Sequence, residues 1–220
     1  MSNLNQLILS FEYEQNFKNL DFYVSKSNAH VFNLIDNWSS QNEKFLNIIG
    51  EKFCGKSHLI NIFLEKNRGL RINSHELNDF FLKKIKFYKN IILEDLTLRI
   101  NEKSFYSLIN IVEAENKHLI ITSNVPIVNL NFKLSDLKSR SKNFTLTTFE
   151  NPDDELIFAL VLKNLSDRQI SIDKKLIDYI IKRIDRSYSN ISDFVYKIDQ
   201  LSLKKKRSID FGIIKEALGD

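Results

Sequence analysis

A chain of 220 residues, 43% hydrophobic and 27% charged, has room for one large domain or a medium one plus a small one, and it can bury a sizeable core. A formal charge of only +4 suits a partner carrying negative charge but falls short of the concentrated basic stripe of a dedicated DNA reader. The single cysteine, Cys54, excludes a disulfide framework and a cysteine-based metal site. With no secretory start and no apolar run of about 18 residues, the sequence predicts a cytoplasmic protein without membrane contact.

From residue 45 to residue 149, short β-leaning runs alternate with helical patterns, which predicts a parallel sheet wrapped by helices. The strands in chain order are "FLNII" (45–49), "GLRIN" (69–73), "NIILED" (90–95), "HLIITS" (118–123) and "FTLTTF" (144–149). Several are apolar on consecutive positions, as strands covered on both faces should be. Between them, residues 57–65 and 104–116 carry apolar side chains at three- and four-residue spacing and read as helices. After Phe149 the pattern turns all-helical: "ENPDDEL" offers Asn151 as N-cap and Pro152 at the first helical position. Apolar stripes follow at 156–165, at 176–184, at 191–201 and at 213–218, and their plain reading is core. The expected fold class is α/β, with a small helical domain behind it.

Gly50-x4-Gly55-Lys56-Ser57 follows the first strand and opens the first of these helices, the context of a phosphate-binding loop. Glycines there let backbone N–H groups approach phosphates, Lys56 supplies a point charge, and Ser57 is placed to hold magnesium. Cys54 and His58 lie in and beside the loop, where filler and packing are their simplest roles. "IILEDL" sets Glu94 and Asp95 at a strand end, where a nucleotide site needs acids for a metal or its waters. In "LIITSNVP", Thr122, Ser123 and Asn124 each qualify to sense a terminal phosphate or orient water, and each equally suits the turn before Pro126. "LSDLKSRS" ends a short helix on Arg140, which by itself reads as a surface ion pair. "LKKKRS" (203–208) reads as a solvated turn between helices, with contact to DNA phosphates as the minor alternative.

Phosphate loop, acidic strand end, polar strand end, "LKSR" and a helical lid occur in the order found in AAA+ ATPases, and the chain resembles the replication initiator DnaA and its relatives. The resemblance covers nearly the whole chain and implies residues 16–150 as an AAA+ domain with a five-stranded parallel sheet and residues 151–220 as an all-helical lid. "VSKSNAHVFNLI" (24–35) resembles the family segment that packs near adenine. Nucleotide contacts are then expected at Gly50, Cys54, Gly55, Lys56, Ser57 and His58, magnesium at Ser57 and Glu94, and catalytic roles at Asp95 and Asn124. Arg140 falls at the arginine-finger position.

Two further features narrow the resemblance. The chain reaches Asp220 just past the lid, which predicts no DNA-reading module, and "QLILSF" is similar to the short peptide with which proteins bind the DNA polymerase sliding clamp. Gln6, Leu7, Leu9 and Phe11 would be its anchors, in a tail spanning residues 1–15; a loose tail or terminal strand is the competing reading. The layout resembles the Hda-type regulators of DnaA. That implies an ADP- or ATP-bound protein, tethered to the clamp and touching DNA only through it. It would promote hydrolysis of DnaA-bound ATP through Arg140 in trans, and AAA+ assembly makes a homodimer expected. Two departures, Glu94 for Asp and Ser189 where the lid arginine of the family falls, predict weak or absent intrinsic hydrolysis; Arg186 is one turn away from the second. The alternatives are an autonomous ATPase of helicase-loader type and a DnaA-like adaptor that senses nucleotide and stimulates nothing.

Overall fold

The first predicted strand, β1 (Phe45–Ile49), is buried along all five residues because parallel strands flank it on both sides. The computed structural model describes residues 22–219, so the clamp-like segment at 6–11 lies outside the described residues. Around β1 stand β2 (Gly69–Asn73), β3 (Asn90–Leu96), β4 (His118–Ser123) and β5 (Thr145–Thr148), in the spatial order β2-β3-β4-β1-β5 with every neighbouring pair parallel. The five expected strands therefore form. β5 is one residue shorter at each end than the 144–149 run, and β3 runs on to Leu96 through a bulge.

Side chains alternate across this sheet and both faces are covered. Ile91, Leu93, Leu119 and Ile121 pack with Phe105, Leu108 and Val112 of α4 (Glu102–Ala114). Leu46, Ile48, Ile92 and Ile120 pack on the other side with Leu59, Ile60 and Phe63 of α2 (Lys56–Lys66) and with Val31 and Ile35 of α1 (Ala29–Asp36). Each such side chain contributes about 1.5–3 kcal/mol through burial. Asn47, the polar exception in β1, is fully buried and satisfied: its amide donates to Ser123 Oγ at 2.8 Å and its carbonyl oxygen accepts the Ile127 N–H at 2.9 Å. It pins the turn that leaves β4.

The helix α3 (Asp79–Ile85) has no counterpart in the periodicity reading. It is seven residues long, and although Phe81, Leu82 and Ile85 pack on the core, Phe80 beside them is 62% exposed, so the apolar stripe is too short to stand out. Its start is set by Asn78, whose side chain accepts the N–H groups of Phe80 and Phe81. α5 (Ser135–Arg140) is held near α4 by Glu102, whose carboxylate accepts the Lys133 and Leu134 N–H groups at 2.8–3.0 Å.

Behind the sheet, α6 (Asp154–Ser166), α7 (Lys174–Ile181), α8 (Tyr188–Lys205) and α9 (Phe211–Leu218) share a cluster built on Ile157, Val161, Leu165, Ile177, Ile180, Ile198 and Ile213. The expected cap at Asn151 is corrected: Asp153 caps α6, because its carboxylate accepts both the Leu156 N–H at 2.8 Å and the Ser27 N–H at 3.2 Å, a tertiary bond no local pattern contains. The basic stretch is also displaced. Leu203, Lys204 and Lys205 complete α8, and the turn begins only at Lys206, where the backbone becomes left-handed.

Candidate functional site

β1 delivers the chain into residues 50–55 and α2 begins at Lys56. Two glycines are required. A Cβ on Gly50 would lie 2.5 Å from Cys54 Sγ, and Gly55, at φ +100°, serves as N-cap of α2 without a side chain of its own to donate or accept. The Lys56 ammonium is buried and donates to the carbonyls of Gly50 at 2.6 Å and Glu51 at 2.8 Å, leaving its third proton shared between Asn124 Oδ1 at 3.5 Å and Cys54 Sγ at 3.8 Å. Burial pushes the Cys54 thiol up, and Lys56 offsets only part of that, so it packs as a neutral side chain. His58 is buried at the mouth of α2, edge-on to Phe22, whose ring also stacks on Phe32 and lies 3.2 Å from where a Cβ on Gly55 would be.

Strand ends bring the other candidates in. Thr122 Oγ1 accepts the Asp95 N–H at 3.1 Å, and Ser123 Oγ donates to the Val125 carbonyl at 2.7 Å. Both hydroxyls hold the strand ends, and Asn124 alone of the three is left exposed, facing the loop lysine. Asp95 is exposed at the bulge of β3 with φ +51°. Glu94, beside it, is 7% exposed; one oxygen is ion-paired with Nε of Arg71, and the other is buried without a partner. Among the described residues no group of three or more His, Cys, Asp or Glu side chains converges, and Ser57 is half-buried at the start of α2. Magnesium held by Ser57 and phosphate oxygens fits this arrangement. Glu94 has only Oε1 left to offer it, since Arg71 pairs with Oε2.

The lid meets the loop through Glu51, Tyr188 and Ser189. Glu51 accepts the Tyr188 N–H at the first turn of α8 with one carboxylate oxygen, and Ser189 Oγ lies 3.5 Å from the other. Tyr188 is buried against Cys54 and Phe149, its hydroxyl donates to the Glu150 carbonyl at 3.1 Å, and burial keeps the phenol protonated far above its ordinary range. Ser189 thus faces the loop without bringing a charge. Arg186 turns aside to Asp154 at 2.6 Å. A separate cavity of about 510 Å³, lined by Tyr23, Phe158, Lys174 and Asp178 among others, includes no residue of the phosphate loop.

Arg140 is not brought to this cluster. It ends α5, one short turn before β5 begins, and it is ion-paired with Glu113 in the last turn of α4, ahead of β4. Both places lie at the starts of parallel strands, whereas the phosphate loop, Glu94 and Asn124 lie at strand ends. Its guanidinium also sits over the Tyr106 ring at 5.5 Å, and the Glu113 partner raises its already high pKa. Phe22, Glu51, Arg71 and Tyr188 were invisible to motif reading because their neighbours in space are distant in the chain. A charged residue in each of "GEKF" and "LRIN" was the only available signal.

No family model matches the chain. It is 24% identical over 204 residues to the chromosomal replication initiator protein DnaA of Lachnoclostridium phytofermentans, a match covering 90% of this chain and 43% of that one. The chain thus spans less than half the length of the curated initiators it matches. Domain III of DnaA from Thermotoga maritima superposes with a TM-score of 0.71 at 17% identity, covering 91% of this chain and 95% of that domain. A DnaA bound to AMPPCP and single-stranded DNA gives 0.65 at 16% identity, covering 86% and 68%.

Proposed function

We propose that this chain, which belongs to the DnaA-related AAA+ family, holds an adenine nucleotide as a structural switch and acts on the nucleotide of a neighbouring protein. Its residues divide the work. Backbone N–H groups of the loop and the Lys56 ammonium bind phosphates, for which the ammonium exchanges neutral carbonyl acceptors for charged ones. Phe22 and His58 form an aromatic wall beside the loop. Glu51, Tyr188 and Ser189 tie the lid over it without a cation. Asp95 and Asn124, the exposed polar groups at the strand ends, are left to position water.

The observation that carries this reading is the placement of Arg140 at the strand-start end of the sheet, opposite the end that carries residues 50–57. From there it can meet a nucleotide only if another subunit holds it. In the Hda-type role the partner is ATP-bound DnaA: Arg140 leaves Glu113, reaches the partner's phosphates and stabilises charge developing on them, while residues 6–11 tether the chain to the sliding clamp. Arginine fingers in general accelerate hydrolysis by about a thousandfold or more.

Hydrolysis of DnaA-bound ATP, measured with clamp loaded on DNA, should be stimulated by the parent chain and not by Arg140→Ala, while both bind the clamp equally. Equal stimulation by the two would overturn the role. The Arg140–Glu113 pair favours a second reading, an adaptor whose arginine stays engaged in its own fold. Clamp and DnaA binding with no stimulation by the parent would select it.

A further inference from the structure

We propose that Arg71 is a resident cation of the nucleotide site, taking at Glu94 the charge that a metal shell would otherwise share, so that the site holds nucleotide with little dependence on magnesium. This rests on the nucleotide-holding reading above.

The geometry is specific. In the β2–β3 register Asn73 stands opposite Glu94, and Arg71, two residues earlier, points to the same face of the sheet. Its side chain runs along the strand toward the phosphate-loop end, where Nε pairs with Glu94 Oε2 and Nη1 donates to Asn61 Oδ1 at 2.7 Å. Asn61 belongs to α2, the helix that the phosphate loop opens, so the guanidinium is fixed between two strands and that helix. Glu94 is nearly buried, and a buried carboxylate that loses its cation is strongly destabilised. The second Glu94 oxygen is buried without a partner, so Arg71 is the one cation this carboxylate meets among the described residues.

The consequence for binding is one of charge. A nucleotide brings its phosphates close to Glu94, two anions that repel unless a cation lies between them. Where the acid is free, magnesium supplies that cation. Here Arg71 supplies it permanently, and because it cannot be exchanged with solvent, Glu94 is also kept from ordering the water shell of a metal. Slow intrinsic turnover follows from the same pair.

The test is a titration of the full chain with fluorescent ADP, in magnesium and in EDTA, for the parent, Arg71→Gln and Arg71→Lys, with thermal unfolding as the check on folding. The parent should lose less than about threefold in affinity without metal, and Arg71→Gln about tenfold or more, since its Glu94 is left bare. Arg71→Lys, which keeps a charge at the position, should stay near the parent. A parent that loses tenfold or more in EDTA overturns the proposal regardless of how the variants fold, as does a folded Arg71→Gln that remains indifferent to metal. Absence of ADP binding under both conditions is a different result: it removes the nucleotide-holding reading itself, and this inference with it.

Discussion

Lys56 is buried, and its three protons are distributed over the Gly50 and Glu51 carbonyls, Asn124 and Cys54. The ammonium therefore keeps the loop curled, and in the proposed role it exchanges these neutral acceptors for phosphate. Lys56→Ala removes a charge-assisted contact of about 1.5–3 kcal/mol, so calorimetric affinity for ADP should fall on the order of tenfold to a hundredfold. Intrinsic ATP turnover should be slow in the parent as well. A parent turnover comparable to that of a working ATPase, abolished by the same substitution, would contradict the switch-like role.

At the scale of elements, the junction between the loop and α8 depends on a carboxylate rather than an arginine. Glu51 receives the Tyr188 N–H, one of the donors that a helix start leaves without an intrahelical partner, while Ser187 caps the Asn190 N–H. Glu51→Ala should cost about 0.5–2 kcal/mol, in the range of a lost N-cap. Hydrogen exchange locates the effect: amides at the start of α8 should lose protection while those of β1 and β4 keep theirs. Uniform loss across the sheet would show that Glu51 supports the whole fold rather than the lid joint. α5 is tied in a comparable way, since Glu102 gathers the Lys133 and Leu134 N–H groups just ahead of the helix that carries Arg140.

Across the whole molecule, the helical part is joined to the α/β part by Asp153, which binds Ser27 ahead of α1, and by Tyr188 and Leu156, which pack with sheet residues. Burial works against ionisation of Asp153, but the Leu156 N–H and the Ser25 and Ser27 groups outweigh it and hold its pKa below the ordinary carboxylate value. A carboxylate lowered in this way contributes stability that is complete above its unfolded pKa and is lost as pH falls through the folded one. The thermal midpoint should therefore be flat near neutrality and drop below about pH 4. Asp153→Asn should lower the midpoint at pH 7 and make the acid-side drop shallower; a variant with an unchanged acid limb would place the titrating tie elsewhere.

Strands whose residues are apolar on both faces, such as "FLNII" and "HLIITS", are legible because continuous burial leaves few alternatives, and the two loop glycines are legible because a side chain at Gly50 would meet Cys54 and Gly55 sits at φ +100°. The α/β class, the strand set, the glycine loop and the all-helical character of residues 154–218 follow from local pattern, since hydrophobic period and turn chemistry act between near neighbours. It took long-range packing to make Asp153 rather than Asn151 start α6, to engage Thr122 and Ser123 with the backbone while leaving Asn124 exposed, and to pair Arg71 with Glu94. The reason is physical: a side chain's role depends on which charge or donor packs against it, and that neighbour comes from a strand or helix whose distance along the chain leaves no trace in the local pattern.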